Sequence, residues 1–152
     1  MTDQELIGQL SERDVVALTI WGEARGQSVK GRAAVASVIG NRVKAKRFGK
    51  GFREVCLKPF AFSCWCPEGG QANYETVMAA ARICLRTDAA IGPALRQCRA
   101  MADLLMAGEL PDGVKSADHY LTRELFASNP PAWAKGQTPV CTVEAHVFLK
   151  VA

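Results

Sequence analysis

Glu23 is the residue of this chain best placed to move a proton. It lies in Ile20-Trp21-Gly22-Glu23-Ala24-Arg25-Gly26, at the end of a predicted helix, beside an aromatic ring and between two glycines. Such a setting keeps a carboxyl partly desolvated and able to donate a proton near neutral pH. Most glutamates are exposed helix carboxylates, so position alone leaves both readings open. Arg25 either holds the Glu23 loop, reaches an external carboxylate, or serves as a cation at a helix C-terminus. Glu68, Glu75 and Asp118 are the other carboxylates near segments able to line a cleft. Asp118 adjoins His119-Tyr120 and is the best of them, but no spacing forces it to act as a second acid, and it reads as a hydrogen-bonding or surface residue.

Metal chemistry has one candidate set. Six cysteines and two histidines are present, and Cys64, Cys66 and His119 are of the types that bind zinc. Cys-x-Cys is not the spacing of a zinc knuckle, and Cys56, Cys84, Cys98 and Cys141 are scattered singly. They read as reduced, buried small hydrophobes, with oxidation after release left open, and no metal or cofactor is expected. His146, between Ala145 and Val147, reads as an internal histidine.

The elements that must hold these groups follow from periodicity. Residues 12–24 are predicted helical, with Val15, Leu18 and Trp21 on one stripe, Ser11 as N-cap and Gly26 as stop. A second helix is predicted at 30–46, with Val35, Val38, Ile39 and Val43 inward and small alanines allowing close packing. Segment 55–70 is dense in aromatics (Phe60, Phe62, Trp65) and bounded by Pro59 and Pro67-Glu68-Gly69-Gly70, which predicts a hairpin or small lobe. Helices return near 73–88 and 93–107, and 116–122 and 139–151 carry the β-branched and apolar character of strands.

The bulk numbers bound the answer. At 152 residues, 49% apolar and 22% charged, the chain fits one domain spanning residues 1–152, without repeats or linkers. No apolar stretch approaches the roughly 20 residues of a membrane span. The start, Met1-Thr2-Asp3-Gln4-Glu5, is polar and acidic and lacks the pattern of a secretory signal, so synthesis and retention in the cytoplasm are expected. The net charge is +4, with basic residues concentrated between Lys30 and Arg53, a footprint drawn to polyanions or simply a solvated helix face. A nucleic-acid or wall-polymer binding module is the non-catalytic alternative. No nucleic-acid motif accompanies the charges, and the aromatics lie away from the basic 42–53 segment, so no nucleic-acid partner is expected.

Four blocks in order, the first made of two runs, carry a resemblance. Trp21-Gly22-Glu23-Ala24-Arg25-Gly26 is followed by Ala34-Val35-Ala36-Ser37-Val38-Ile39-Gly40-Asn41-Arg42-Val43. Then come Pro59-Phe60-Ala61-Phe62-Ser63-Cys64-Trp65, Ala117-Asp118-His119-Tyr120, and Trp133-Ala134-Lys135 with His146-Val147-Phe148. Over residues 14–149 the chain resembles the cell-wall hydrolases that include the spore-cortex-lytic enzymes. The resemblance implies a mainly helical α+β, lysozyme-like single domain with a small β lobe. It implies cleavage of peptidoglycan glycan strands between N-acetylmuramic acid and N-acetylglucosamine, with Glu23 as the single acid/base of a lytic transglycosylase. Arg25, Phe62, Ser63, Trp65, His119, Tyr120 and Trp133 are its implied substrate-binding residues, with one of His119 and Tyr120 facing the cleft. A wall hydrolase without an export signal reads as a monomeric, phage-type lysis enzyme acting after release; a zinc amidase is the enzymatic alternative. The family commonly carries a second acidic residue after Gly26, where this chain has Gln27.

Overall fold

The computed structural model describes all 152 residues. It is mainly helical, with one small sheet, an α+β architecture of the expected lysozyme-like kind. Helix α1 (Asp3–Gln9) opens with a capping box: Thr2 accepts from the Glu5 amide, and the Glu5 carboxylate accepts from the Thr2 amide.

Helix α2 (Glu12–Ala24) is the axis of the molecule. Ser11 caps it as predicted, accepting from the Asp14 amide at 3.0 Å. The one-sided stripe predicted for it proves too narrow, since nine of its thirteen residues are buried. A helix apolar on every side is a core helix, and α3 (Val29–Ala45), α4 (Phe52–Leu57), α5 (Gln71–Arg86) and α6 (Pro93–Met106) surround it. Asp14, buried among them, receives a two-pronged pair of hydrogen bonds from Arg99 at 3.0 Å each, tying α2 to α6 (Pro93–Met106).

Helix α3 (Val29–Ala45) buries Val35, Val38 and Ile39 and ends at Lys46, whose φ of 59° is left-handed. Helix α5 (Gln71–Arg86) completes the surround. The hairpin predicted at 55–70 does not form. Helix α4 (Phe52–Leu57) occupies its start, and two 3-10 turns, Ser63–Trp65 and Pro67–Gly69, follow. Pro59 and Pro67 have no N–H to give a strand ladder, and two of the three aromatics are claimed by the core: Phe62 is buried and the Trp65 indole donates to Thr19 at 2.8 Å.

The strands lie entirely in the C-terminal third. β1 (His119–Thr122), β2 (Cys141–Val143) and β3 (His146–Leu149) form an antiparallel sheet in the order β1-β3-β2, with Tyr120 opposite Phe148 and Thr122 opposite His146. Helix α7 (Arg123–Ser128) follows β1 directly. One sheet face packs Val143 and Phe148 against Ala34 and Val38 of α3, and the other packs Leu121, Val147 and Leu149 with Ala134. No helix is long and apolar enough to cross a membrane.

Candidate active site

Glu23 sits in the last turn of α2, and three donors from two distant segments converge on its carboxylate. The Cys64 amide donates to Oε2 at 3.0 Å and the Ser63 hydroxyl to the same oxygen at 3.3 Å. The Tyr120 hydroxyl donates to Oε1 at 2.5 Å. Burial, then the neighbouring Glu23, pushes the Tyr120 phenol well above its ordinary range, so it keeps its proton and acts as donor.

Each donor has a local cause. The turn carrying Ser63 and Cys64 reaches α2 only because residue 22 is glycine: a Cβ there would stand 2.7 Å from Cys64 Cβ and 2.8 Å from Val77. The bond from Trp65 to Thr19 holds the same turn from behind. Asn73 of α5 donates to the Gly22 carbonyl at 3.1 Å and fixes the end of α2. Tyr120 is brought in by β1, at the free edge of the sheet.

Around Glu23 opens a groove of about 660 Å³. Tyr120, His146 and Arg42 line it deep in the fold, and Phe60, Leu125 and Trp133 are its exposed apolar groups. Phe60 is 81% exposed with φ 63°, a left-handed backbone that a bulky side chain rarely adopts. The His119 ring sits 4.8 Å from that of Trp133 and 5.9 Å from that of Phe48. Both His119 and Tyr120 line the groove, where alternation along a strand predicts one. β1 is an edge strand, and the groove runs past that edge, so both faces reach it.

Asp118 is buried and fully engaged, accepting from His119 Nδ1 at 2.9 Å and from the Val151 and Ala152 amides at 2.8 and 3.0 Å. Burial raises its pKa, but those donors hold it below the ordinary carboxylate value, so it accepts and His119 Nδ1 donates. His146 Nδ1 lies 3.0 Å from Gln27 Nε2, and its ring stands edge-on to Tyr120.

Of the residues expected to touch substrate, Ser63, His119, Tyr120 and Trp133 line the groove with Glu23, and three do not. Phe62 is buried, beneath the Arg42 guanidinium. Trp65 is half-buried and committed to Thr19. Arg25 lies over the Trp21 ring, 4.6 Å from its centroid, and bonds the Gly22 carbonyl, outside the groove. Nor do Cys64, Cys66 and His119 converge: Cys64 is buried against Gly22, Cys66 bonds Glu68, and no three His, Cys, Asp or Glu side chains gather as a ligand set. All six cysteines are free thiols. The groove is also lined by Arg42 and Asn73, which sequence reasoning did not single out as site residues, and by His146, which it read as internal. The signal for Arg42 was present, because it follows Val35, Val38 and Ile39 at seven, four and three residues on the buried face of α3.

The chain is similar to the catalytic domain of the germination-specific lytic transglycosylase SleB from Bacillus anthracis, with TM-score 0.63 and 22% sequence identity, over 93% of this chain and 98% of that one. At that identity the likeness is one of fold. No curated protein matches the sequence significantly. The Cell Wall Hydrolase family profile matches residues 26–149, beginning just after Glu23 and spanning α3 to the end of β3. By that match the chain belongs to the cell wall hydrolase family, a peptidoglycan-degrading group.

Proposed function

We propose that this enzyme cleaves the peptidoglycan glycan strand between N-acetylmuramic acid and N-acetylglucosamine as a lytic transglycosylase, with Glu23 as its general acid and then base. One observation carries the reading: Glu23 is the sole carboxylate among the groove residues. Glycosidases of the usual two-carboxylate kind place a second one across the scissile bond, as nucleophile or to activate water. The other groove groups are neutral or, at Arg42 and Lys58, cationic, which favours a route that needs one carboxyl.

In that route the Glu23 carboxyl gives a proton to the glycosidic oxygen as the C1–O bond breaks. The resulting carboxylate takes the proton of the muramyl 6-hydroxyl, whose oxygen closes on C1. The proton count balances, no water enters, and the product ends in a 1,6-anhydro ring. Ser63, Cys64 and Tyr120 keep the carboxylate aimed throughout, so little reorganisation is needed at the moment of transfer. Phe60 and Trp133 offer exposed flat rings to pyranose faces at the mouth of the groove.

Mass spectrometry of fragments released from purified sacculi tests this reading. Fragments lighter by one water than the hydrolytic product are expected; reducing muramyl ends would overturn the transglycosylase assignment.

A further inference from the structure

Arg42 presents a physical anomaly that the chemistry above does not use. It is only 6% exposed, yet takes part in none of the ion pairs of the protein. Its Nε donates to the Asp118 carbonyl at 2.7 Å, and neither Nη atom has a protein hydrogen-bond partner. Neither is sealed away, because every fully buried side-chain nitrogen or oxygen of the fold has a partner. Arg42 lines the Glu23 groove, so that remaining surface opens there.

The guanidinium is also held in place. It stands 5.2 Å from the centroid of the Phe48 ring and 4.9 Å from that of Phe62. Cation–π attraction to two rings offsets part of the cost of burial and restricts the side chain. Burial still pulls its pKa down, against the raising effect of the Asp118 and Glu23 carboxylates nearby. A buried cation with no carboxylate in direct contact is costly, and a partner arriving from outside would offset that cost. A planar fork with free N–H groups on its edge fits a carboxylate in a two-pronged hydrogen-bonded pair.

We infer that Arg42 is the anion-binding residue of this groove and receives a carboxylate of the wall strand beside Glu23. The inference rests on the glycan-cleaving reading above and names a chemical feature of its substrate. Two sources share that chemistry, the lactyl group of muramic acid and the stem peptide. Arg25, the arginine that sequence alone offered for a wall carboxylate, is turned onto Trp21 and does not reach the groove.

Equilibrium binding to Glu23→Gln protein, which removes turnover, provides the test. The probes are soluble glycan strands with native carboxylates and the same strands with those carboxylates converted to primary amides. A preference of about tenfold or more for the native strands is expected, the scale of one charge-assisted pair. It should vanish in Glu23→Gln/Arg42→Met and survive in part in Glu23→Gln/Arg42→Lys, which keeps the charge without the fork. Strands stripped of peptide by an amidase, which frees the lactyl carboxylate, separate the sources: a preference on stripped strands assigns the lactyl group, and one confined to peptide-bearing strands assigns the stem. Lys58 also lines the groove and is exposed, so Lys58→Gln is the comparison. A preference that persists in Arg42→Met, or that disappears only in Lys58→Gln, overturns the assignment. Should Arg42→Met fail to fold, the native-against-amidated comparison in Glu23→Gln protein still decides, because equal binding of the two strands overturns the inference without any Arg42 variant. Binding without charge preference defeats the role of Arg42 alone, whereas no binding of any strand defeats the glycan-cleaving reading with it.

Discussion

Tyr120 and Glu23 lie 97 residues apart in the chain and meet through a single hydrogen bond, phenol to carboxylate, at 2.5 Å. The bond joins the edge strand of the sheet to the C-terminal turn of the central helix. It makes the sheet a positioning device for the carboxyl, although no strand residue needs to perform chemistry.

Tyr120→Phe keeps the ring and its packing against Phe148 and removes only that donor. Loss of one hydrogen bond to a charged group amounts to about 1.5–3 kcal/mol, so kcat should fall roughly tenfold to a hundredfold with KM little changed. Steady-state assays on soluble glycan strands check the split. A variant with wild-type kcat would show that the phenol does not align Glu23.

Gly22→Ala should be more damaging than its size suggests. The new methyl would stand 2.7 Å from Cys64 Cβ, and the turn that delivers Ser63 and the Cys64 amide must move away. Overpacking of this kind costs about 1–3 kcal/mol. A lowered Tm together with disproportionate loss of activity is expected; an unchanged activity would mean that the turn is not needed to hold the carboxylate.

Much of the frame is legible in the sequence because it is local. The 12–24 helix, its Ser11 cap and the placement of Glu23 at its end follow from capping chemistry and spacing, and the observed Glu12–Ala24 agrees. The 116–122 and 139–151 segments likewise contain the three strands. Helices α4 and α7 are six residues each, too short to show a period. Segment 55–70 misleads for a different reason: aromatic density marks strands and cores alike, and only tertiary contact decides that Phe62 goes under Arg42 and Trp65 onto Thr19. His146 appears internal in the sequence because its neighbours are apolar, yet β3 turns it to the same face as Tyr120 and so to the groove.

His146 gives a pH signature. Burial lowers its pKa from the ordinary 6.5, against smaller raising effects of Glu23 and Glu144. As pH falls through 6.5 the unfolded chain takes up the proton before the folded one, so stability declines on the acid side and is full above that value. Tm measured between pH 7.5 and 5 should therefore drop less in His146→Gln than in the parent, and an identical acid-side loss in both would remove His146 as the cause.

The Asp14–Arg99 pair is the principal buried ionic contact between α2 and α6. Asp14→Asn leaves the buried guanidinium without its full counter-charge. Breaking a buried pair from one side costs about 3–5 kcal/mol, and chemical denaturation should show a loss of that order. Little change would mean that the exposed Asp88, 2.8 Å from Arg99 Nη1, suffices as partner.

Release of soluble fragments from purified peptidoglycan by Glu23→Gln protein is the most direct test of the whole account. The substitution preserves shape and removes the transferable proton, so a rate lower by about 10²–10⁴-fold at an unchanged Tm is predicted. Fragment release near the parent rate, from protein shown to be folded, would contradict it.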